Sequence, residues 1–257
     1  MVCLPMVVVV LGMHRSGTSL VANVLHHLGV HMGDQLLGAN RFNPYGHWED
    51  LDFLDLNVEI LKAADGDWAH PPSEVRIRSV GDWFRPEIYQ LLAWKQAQKR
   101  ARWGWKDPRT ALTAELYHPY LNDGYLKNMG VRYVHVVRKQ PAVVDSLMRR
   151  ADEAKCMVEE WIEQGRVTEE EAAQDQEMAE WAPSRWAALV HDYEGRISQF
   201  LVKYQATSYM VRFEDLVGQK SFETVARLAR FLGIDDLELV ELAAGRIVRD
   251  NDSENAG

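Results

Sequence analysis

Four short segments of β-branched, aromatic and other apolar residues alternate along the chain with longer segments of helical periodicity. The first pattern indicates buried strands, and apolar residues that recur every three or four positions indicate amphipathic helices. The predicted strands are Met6–Leu11, about Arg102–Lys106, Val131–Val137 and Ser208–Phe213. The predicted helices are Ser19–Leu28, Leu51–Ala64, Pro86–Arg100, Ala142–Ala151 and Phe222–Leu232. This alternation predicts a three-layer α/β fold with a central parallel sheet, which binds ligands at the carboxyl ends of its strands.

Residues 151–205 have a different pattern, which is helical, acidic and rich in tryptophan. Pro183 is expected to begin a helix whose apolar positions continue at helical spacing through Phe200. We interpret the region as a helical insertion within a single domain of residues 1–257. It is either a packed helical pair with a solvated face or a lid over a ligand pocket. Residues 250–257 are predicted to form a disordered polar tail.

The composition limits the classes of partner. The formal net charge is −9, which argues against a surface that coats nucleic acid, so an anionic ligand needs a local cluster of positive groups. The two cysteines, Cys3 and Cys156, have neither metal-ligand spacing nor a disulfide framework. The apolar stretch Met1–Met13 contains Pro5 and is too short to span a membrane, so we expect a cytoplasmic protein without a transmembrane segment.

The first strand leads into a loop bracketed by two glycines, with the sequence Gly-Met-His-Arg-Ser-Gly-Thr-Ser over residues 12–19. Free backbone N–H groups and the positive end of the following helix make such a loop an anion site. Its spacing is that of a P-loop, but Thr18 stands where the lysine of a nucleotidase would be, and Arg15 lies inside the loop. A kinase or ATPase would lack its central group here, whereas amides, hydroxyls and Arg15 still suit a 5′-phosphate.

This loop resembles the 5′-phosphosulfate loop of sulfotransferases that use 3′-phosphoadenosine 5′-phosphosulfate (PAPS). The matching residues are Arg15, Ser16, Gly17, Thr18 and Ser19. A second match is Arg138, which follows the third strand, with Ser146 eight residues later. The resemblance implies that Arg138 and Ser146 bind the 3′-phosphate, and an arginine fork with a hydroxyl donor suits that group.

A third segment, Trp103–Thr110, resembles the Lys-Asp-Pro-Arg segment of a bacterial-type branch of the family. The resemblance implies that Lys106 contacts the transferring sulfonate, where a cation is needed because charge grows on the leaving phosphate. We interpret Asp107 and Arg109 as a structural ion pair. Cytosolic members carry a histidine two residues after this lysine, but here that residue is Pro108. The general base must therefore come from elsewhere in the chain.

A fourth segment, residues 43–50 with the sequence Asn-Pro-Tyr-Gly-His-Trp-Glu-Asp, resembles the Asn-Pro-x-Gly-x-x-Glu segment of the same branch. An acceptor hydroxyl or amine must lose a proton as it attacks sulfur, so a base is required near Lys106. Glu49 is the first candidate, His47 the second and Asp50 the third. The alternative role for Glu49 is structural, because a negative charge stabilises the amino end of the next helix. The weaker match Val211–Leu216 is interpreted as structural, with Glu214 or Asp215 capping the turn before the next helix.

The resemblance to this family thus implies a sulfotransferase that transfers a sulfonate from PAPS, its co-substrate, without a metal ion. The expected acceptor is a small molecule, a carbohydrate or a lipid, and neither its identity nor the oligomeric state follows from the sequence. Two alternatives remain: a P-loop kinase or nucleotidase that transfers phosphoryl groups, and a nucleotide-binding protein without catalytic activity.

Overall fold

A four-stranded, all-parallel sheet forms the centre of the molecule. The computed structural model describes residues 5–38, 46–122, 129–163 and 169–254. Its strands are β1 (Met6–Leu11), β2 (Arg102–Lys106), β3 (Gly130–Val137) and β4 (Ser208–Arg212), hydrogen-bonded in the order β2-β1-β3-β4. The register sets Val10 of β1 opposite Lys106 of β2 and Val134 of β3. The carboxyl ends of β1, β2 and β3 therefore meet at one edge of the sheet.

Helices cover both faces of this sheet. In chain order they are α1 (Thr18–His27), α2 (Leu51–Ala63), α3 (Glu74–Gly81), α4 (Arg85–Ala97), α5 (Thr110–Asn122), α6 (Gln140–Glu163), α7 (Glu169–Ala179), α8 (Pro183–Lys203), α9 (Phe213–Val217), α10 (Ser221–Phe231) and α11 (Leu237–Glu254).

Strand β1 is buried along its whole length because it contributes to two apolar cores. Successive side chains of a strand point to opposite faces. Val7 and Val9 pack with apolar residues of α2, α4, α5 and α8, and Val8 and Val10 pack with those of α1, α10 and α11. The three-layer α/β fold predicted from the sequence is confirmed.

All four predicted strands are present, although β4 ends at Arg212 because α9 begins at Phe213. The five predicted helices also form, and four of them differ from prediction by at most a few residues at their ends. The fifth, predicted to end at Ala151, continues as α6 to Glu163. Helices α3, α5, α9 and α11 were not predicted. Helix α5 contains Pro119, which disfavours a helical assignment from sequence.

The described residues between 151 and 205 are largely helical and belong to α6, α7 and α8. The predicted apolar face of α8 is confirmed, since Trp186, Tyr193 and Phe200 are buried in the core beneath β1 and β3. Helix α11 runs to Glu254, so helical backbone extends into the segment predicted as a tail, and 255–257 lie outside the described residues. No helix in the described ranges combines the length and apolarity needed to cross a bilayer. Cys156 is exposed, and Cys3 lies outside the described residues.

Candidate active site

The loop between β1 and α1 turns sharply at two residues with left-handed backbone. Arg15 has φ 67° and Gly17, which precedes α1, has φ 97°. A Cβ atom at Gly17 would overlap the ring of Phe213, so only glycine fits there without rearrangement. Ser16 Oγ donates a hydrogen bond of 2.7 Å to the carbonyl oxygen of Met13, which closes the turn. The amino end of α1 consequently lies at the carboxyl edge of the sheet, where an anion would meet its N–H groups.

Three residues predicted to bind the cofactor come together beside this loop. Arg15 Nε donates to Ser146 Oγ at 2.9 Å, although the two residues lie on different elements. Arg138 Nη1 donates to the carbonyl oxygen of Arg15 at 3.1 Å. The guanidinium of Arg138 also lies over the ring of Phe213, 4.4 Å from its centroid. The loop, the end of β3 and the first turns of α6 therefore form one cationic wall.

Lys106, the last residue of β2, connects the loop to the segment that carries the predicted base. Its side chain is only 2% exposed. Nζ donates to Glu49 Oε1 at 2.6 Å, to the carbonyl oxygen of His47 at 3.0 Å and to Ser19 Oγ at 3.3 Å. Ser19 Oγ in turn donates to the same His47 carbonyl at 3.0 Å. The predicted catalytic lysine and glutamate thus form a buried ion pair beside the first turn of α1.

Opposing effects set the charge of Glu49. Burial alone would raise its pKa, but the charges of Lys106 and Arg109 outweigh burial and hold the pKa below its usual value. Arg109 Nη1 lies 3.7 Å from Glu49 Oε2. The same nitrogen lies 2.8 Å from Asp107 Oδ1, which confirms the predicted ion pair between these two residues. Glu49 is therefore an ionised carboxylate held between two cations at neutral pH.

Two neutral histidines lie near this pair. Burial lowers the pKa of His47 to about 4, even though the charge of Glu49 opposes the shift. Burial also lowers the pKa of His14 well below its usual value, and the charges of Arg109 and Arg150 act in the same direction. The Nε2 atoms of both rings are buried and have no hydrogen-bond partner among the described residues. His14 packs against Trp68, with ring centroids 4.6 Å apart.

Asp50, the third candidate base, does not face Lys106. Its carboxylate accepts hydrogen bonds from Lys95 Nζ at 2.5 Å and from the backbone N–H of Asp52 at 3.1 Å. The second bond makes Asp50 the amino-terminal cap of α2. Glu49 and His47 therefore remain as candidates for the general base near Lys106. Asn43, Pro44 and Tyr45 of the same motif lie outside the described residues.

Sequence reasoning missed Arg150, His14 and Trp68. Arg150 lies on α6 one helical turn after Ser146, and its guanidinium lies 5.5 Å from the centroid of the Trp68 ring. Spacing of i to i+4 on a helix could have revealed Arg150, because such residues share a face. No sequence signal marks Trp68, which only the tertiary fold brings to the loop. Glu214, one of the two residues predicted to cap the turn before the next helix, accepts the backbone N–H of Lys139 at 2.8 Å, just before α6.

The site combines a local excess of positive charge with two buried carboxylates, of which Glu49 contacts Lys106 and Asp107 pairs with Arg109. The cationic residues are Arg15, Lys106, Arg109, Arg138 and Arg150. Such an arrangement can hold a phosphorylated or sulfonated ligand and place a proton acceptor beside it. In the part of the chain that the structure describes, no three or more His, Cys, Asp or Glu residues are grouped to hold a metal ion.

Comparison with known proteins identifies the family. The profile described as "Sulfotransferase family" matches residues 5–238. Among solved structures, the chain is similar to the sulfotransferase domain from the Synechococcus PCC 7002 olefin synthase, with 19% identity and a TM-score of 0.47 over 92% of this chain and 76% of that one. No curated protein sequence matches the chain. Because the family profile spans most of its length, the chain belongs to the sulfotransferase family.

Proposed function

We propose that the protein transfers a sulfonate group from PAPS to a hydroxyl or amine of an acceptor molecule. The observation that carries this proposal is the buried contact of 2.6 Å between Lys106 and Glu49 beside the loop. It pairs a cation that can stabilise a leaving phosphate with a carboxylate that can take a proton. Membership of the sulfotransferase family supports the reaction class.

The loop and the end of β3 are the proposed cofactor site. The backbone N–H groups and hydroxyls of residues 16–19, together with Arg15, would bind the 5′-phosphosulfate. Arg138 and Ser146 would bind the 3′-phosphate. The hydrogen bonds Arg15–Ser146 and Arg138–Arg15 support one continuous site, because they link the two proposed phosphate positions.

When bound, PAPS supplies an activated sulfonate on a phosphate leaving group. Glu49 accepts the proton that the acceptor loses as its oxygen or nitrogen attacks sulfur. Lys106 stabilises the negative charge that grows on the leaving phosphate. As Lys106 turns toward that charge, Glu49 loses one of the two cations that hold its pKa low, and it becomes a stronger base. His47 is the second candidate base, since its neutral imidazole has an unpartnered Nε2 among the described residues.

The insertion at 151–205 is proposed to shape the acceptor side of the site. Tyr193 of α8 donates a hydrogen bond of 2.8 Å to the carbonyl oxygen of Trp68, and Trp68 contacts His14 in the loop. Tyr193 also lies directly against His14, with ring centroids 6.3 Å apart. Helix α8 therefore contacts the loop both directly and through Trp68. A small-molecule, carbohydrate or lipid acceptor is proposed, and an aromatic wall at Trp68 suits any of these classes.

Titration of nucleotides into the protein tests this function against its rivals. We expect 3′-phosphoadenosine 5′-phosphate (PAP), the product, to bind equally well with and without EDTA. Binding that is restricted to ATP with Mg²⁺ would contradict the proposal and favour a kinase or nucleotidase. A nucleotide-binding protein without catalytic activity would bind PAP but convert no PAPS, and Lys106→Ala would then change no measurable turnover.

A further inference from the structure

A buried ammonium group lies behind the segment that carries Glu49. Lys95 of α4 is 3% exposed. Its Nζ donates to Asp50 Oδ2 at 2.5 Å, to Asp52 Oδ2 at 2.8 Å and to Asp34 Oδ2 at 3.4 Å. We call these four residues the Lys95 cluster. At its rim, Arg100 contacts Asp34 at 2.5 Å.

Asp50 connects this cluster to the proposed base, because it directly follows Glu49 in the chain. Asp50 has extended backbone, with φ −71° and ψ 121°. Neighbouring side chains on extended backbone point in opposite directions. Glu49 accordingly contacts Lys106 on one side, and Asp50 contacts Lys95 on the other. A displacement of Asp50 therefore moves the carboxylate of Glu49.

The backbone around these two residues is held by an antiparallel bridge between Leu36 and Asp50. Leu37 N–H donates to the carbonyl oxygen of Glu49 at 2.7 Å, and Leu51 N–H donates to that of Gln35 at 2.9 Å. The backbone N–H of Asp34 lies 3.3 Å from Asp50 Oδ2. Asp50 is fully buried, and a buried carboxylate without a cationic partner is energetically costly. An Asp50 carboxylate without such a partner would therefore move toward solvent. The positive charge of Lys95 offsets this cost and keeps the Asp50 carboxylate in its buried position.

We propose that Lys95 is a positioning residue for sulfotransfer: by pairing with Asp50, it fixes the carboxylate of Glu49 where the acceptor's proton is taken up. The inference rests on the proposed function, in which Glu49 is the base. Lys95 itself forms no bond to the reacting atoms. A purely structural role for the Lys95 cluster, in which it stabilises the fold but not the reaction, is the competing explanation.

A double-mutant cycle with Lys95→Met and Glu49→Gln separates the two explanations. The assay follows ³⁵S-labelled PAPS at saturation, with water as the acceptor: water oxygen bonds to sulfur, the sulfur–oxygen bond to the 5′-phosphate breaks, and the proton passes to Glu49. We expect K95M to lower kcat by about 10- to 100-fold, because a displacement of about 1 Å has effects of that size. The Kd of PAP should stay within about twofold, since the cluster does not touch the cofactor site, and kcat should hardly change when K95M is added to E49Q.

Asp50→Asn removes the same ion pair from the other side and keeps an oxygen for the α2 cap, so it replaces K95M if that variant does not fold. Arg100→Met is the matched control: it removes a cation from the rim, and its kcat should equal that of the wild type. Equal losses of kcat from K95M in the wild-type and E49Q backgrounds would overturn the inference. So would a normal kcat in both K95M and D50N.

Crystal structures of the wild type and K95M without bound nucleotide give a readout that needs no turnover. The inference predicts that the 2.6 Å contact between Glu49 Oε1 and Lys106 Nζ is lost in K95M. An unchanged contact would overturn it even if no acceptor were found. Failure of the proposed function has a different signature, namely a wild-type protein that binds no PAP or converts no PAPS.

Discussion

Glu49 is the residue at which burial and charge compete most directly. Burial favours the protonated form, whereas Lys106 and Arg109 favour the carboxylate and prevail. The folded-state pKa is thus below the unfolded value of about 4.3. Such a group stabilises the folded state at pH values above the unfolded pKa, and this contribution is lost as the pH falls through the folded pKa.

The acid dependence of stability follows from this shift. Glu49→Gln should lower the free energy of unfolding at pH 7, because it leaves Lys106 buried without its anionic partner. The difference from the wild type should shrink as the pH falls below about 4, where Glu49 itself becomes protonated. Urea unfolding of both proteins at pH 7 and pH 3 measures this difference. A gap that is independent of pH would show that Glu49 is not held ionised.

Catalysis by Glu49 predicts a second effect of the same substitution. E49Q should lower kcat by about 10²- to 10⁴-fold, the usual contribution of a general base, and leave the affinity for PAP unchanged. His47→Gln is the matched variant, since its ring lies on the same segment. Steady-state kinetics with labelled PAPS compares the two. A large loss in H47Q with full activity in E49Q would transfer the role of base to His47.

The sequence was most informative about residues that carry a motif. Lys106, Glu49 and the loop were predicted, and the structure brings them together within hydrogen-bonding distance. Arg150 and Trp68 were not predicted. Arg150 shares a helix face with Ser146, a spacing that the sequence contains, whereas Trp68 reaches the loop only through the tertiary packing of the segment before α3. Asp50 shows the reverse: sequence proximity to Glu49 suggested a shared role, but extended backbone turns the two side chains apart.

At the scale of elements, the loop depends on a backbone that only glycine adopts easily. Gly17 has φ 97° and faces Phe213, the first residue of α9. Gly29, which follows α1, also has positive φ, 83°, but a Cβ atom there would have no neighbour within 4 Å. Substitution of Gly29 therefore introduces backbone strain alone, whereas substitution of Gly17 introduces backbone strain and steric overlap with Phe213.

Gly17→Ala should cause both backbone strain and steric overlap, and Gly29→Ala should cause backbone strain alone. A residue held in the left-handed region costs about 1 kcal/mol or somewhat more, so both variants should lose stability. G17A should in addition lose PAP affinity by about tenfold or more, because Phe213 and the Arg138 side chain that lies over it must shift. Calorimetric titration of PAP into each variant is the test. Equal PAP affinities in G17A and G29A would contradict the role of this loop.

Elements were predicted well where the hydrophobic pattern was strong. Strands β1 and β3 come from long runs of β-branched residues, which are typical of buried parallel strands, whereas β2 and β4 were predicted from shorter segments with aromatic residues. Helix α3 escaped prediction, since its sequence has a weakly apolar face with few buried residues. Helix α6 extends beyond Ala151 into the region that the sequence predicted to be helical, where it packs against α7 and α8.

For the whole molecule, the contrast between global and local charge governs ligand binding. The chain carries a formal net charge of −9, yet its cationic residues converge on the loop. A polyanionic ligand is therefore repelled at a distance and attracted at the site. Added salt should weaken PAP binding, because the close attraction to several cations exceeds the screened repulsion of the remaining surface.

Arg138→Met should lower PAP affinity by roughly 10- to 100-fold, the value of a charge-assisted hydrogen bond, and should reduce the salt dependence. Arg132→Met is the matched control, since Arg132 lies earlier on β3 and stacks on Phe231. Titrations at two ionic strengths compare both variants with the wild type. A loss of affinity in R132M equal to that in R138M would mean that the overall charge, rather than the site, binds PAP.

The most direct test of the account is the transfer of labelled sulfonate from ³⁵S-PAPS to a panel of hydroxyl and amine acceptors in the presence of EDTA. The wild type should produce a labelled acceptor together with PAP. Lys106→Ala should bind PAP but lose nearly all transfer, because the leaving phosphate would lack its cation. Transfer at the wild-type rate by K106A, or no transfer by a wild-type protein that turns over ATP with Mg²⁺, would contradict the account.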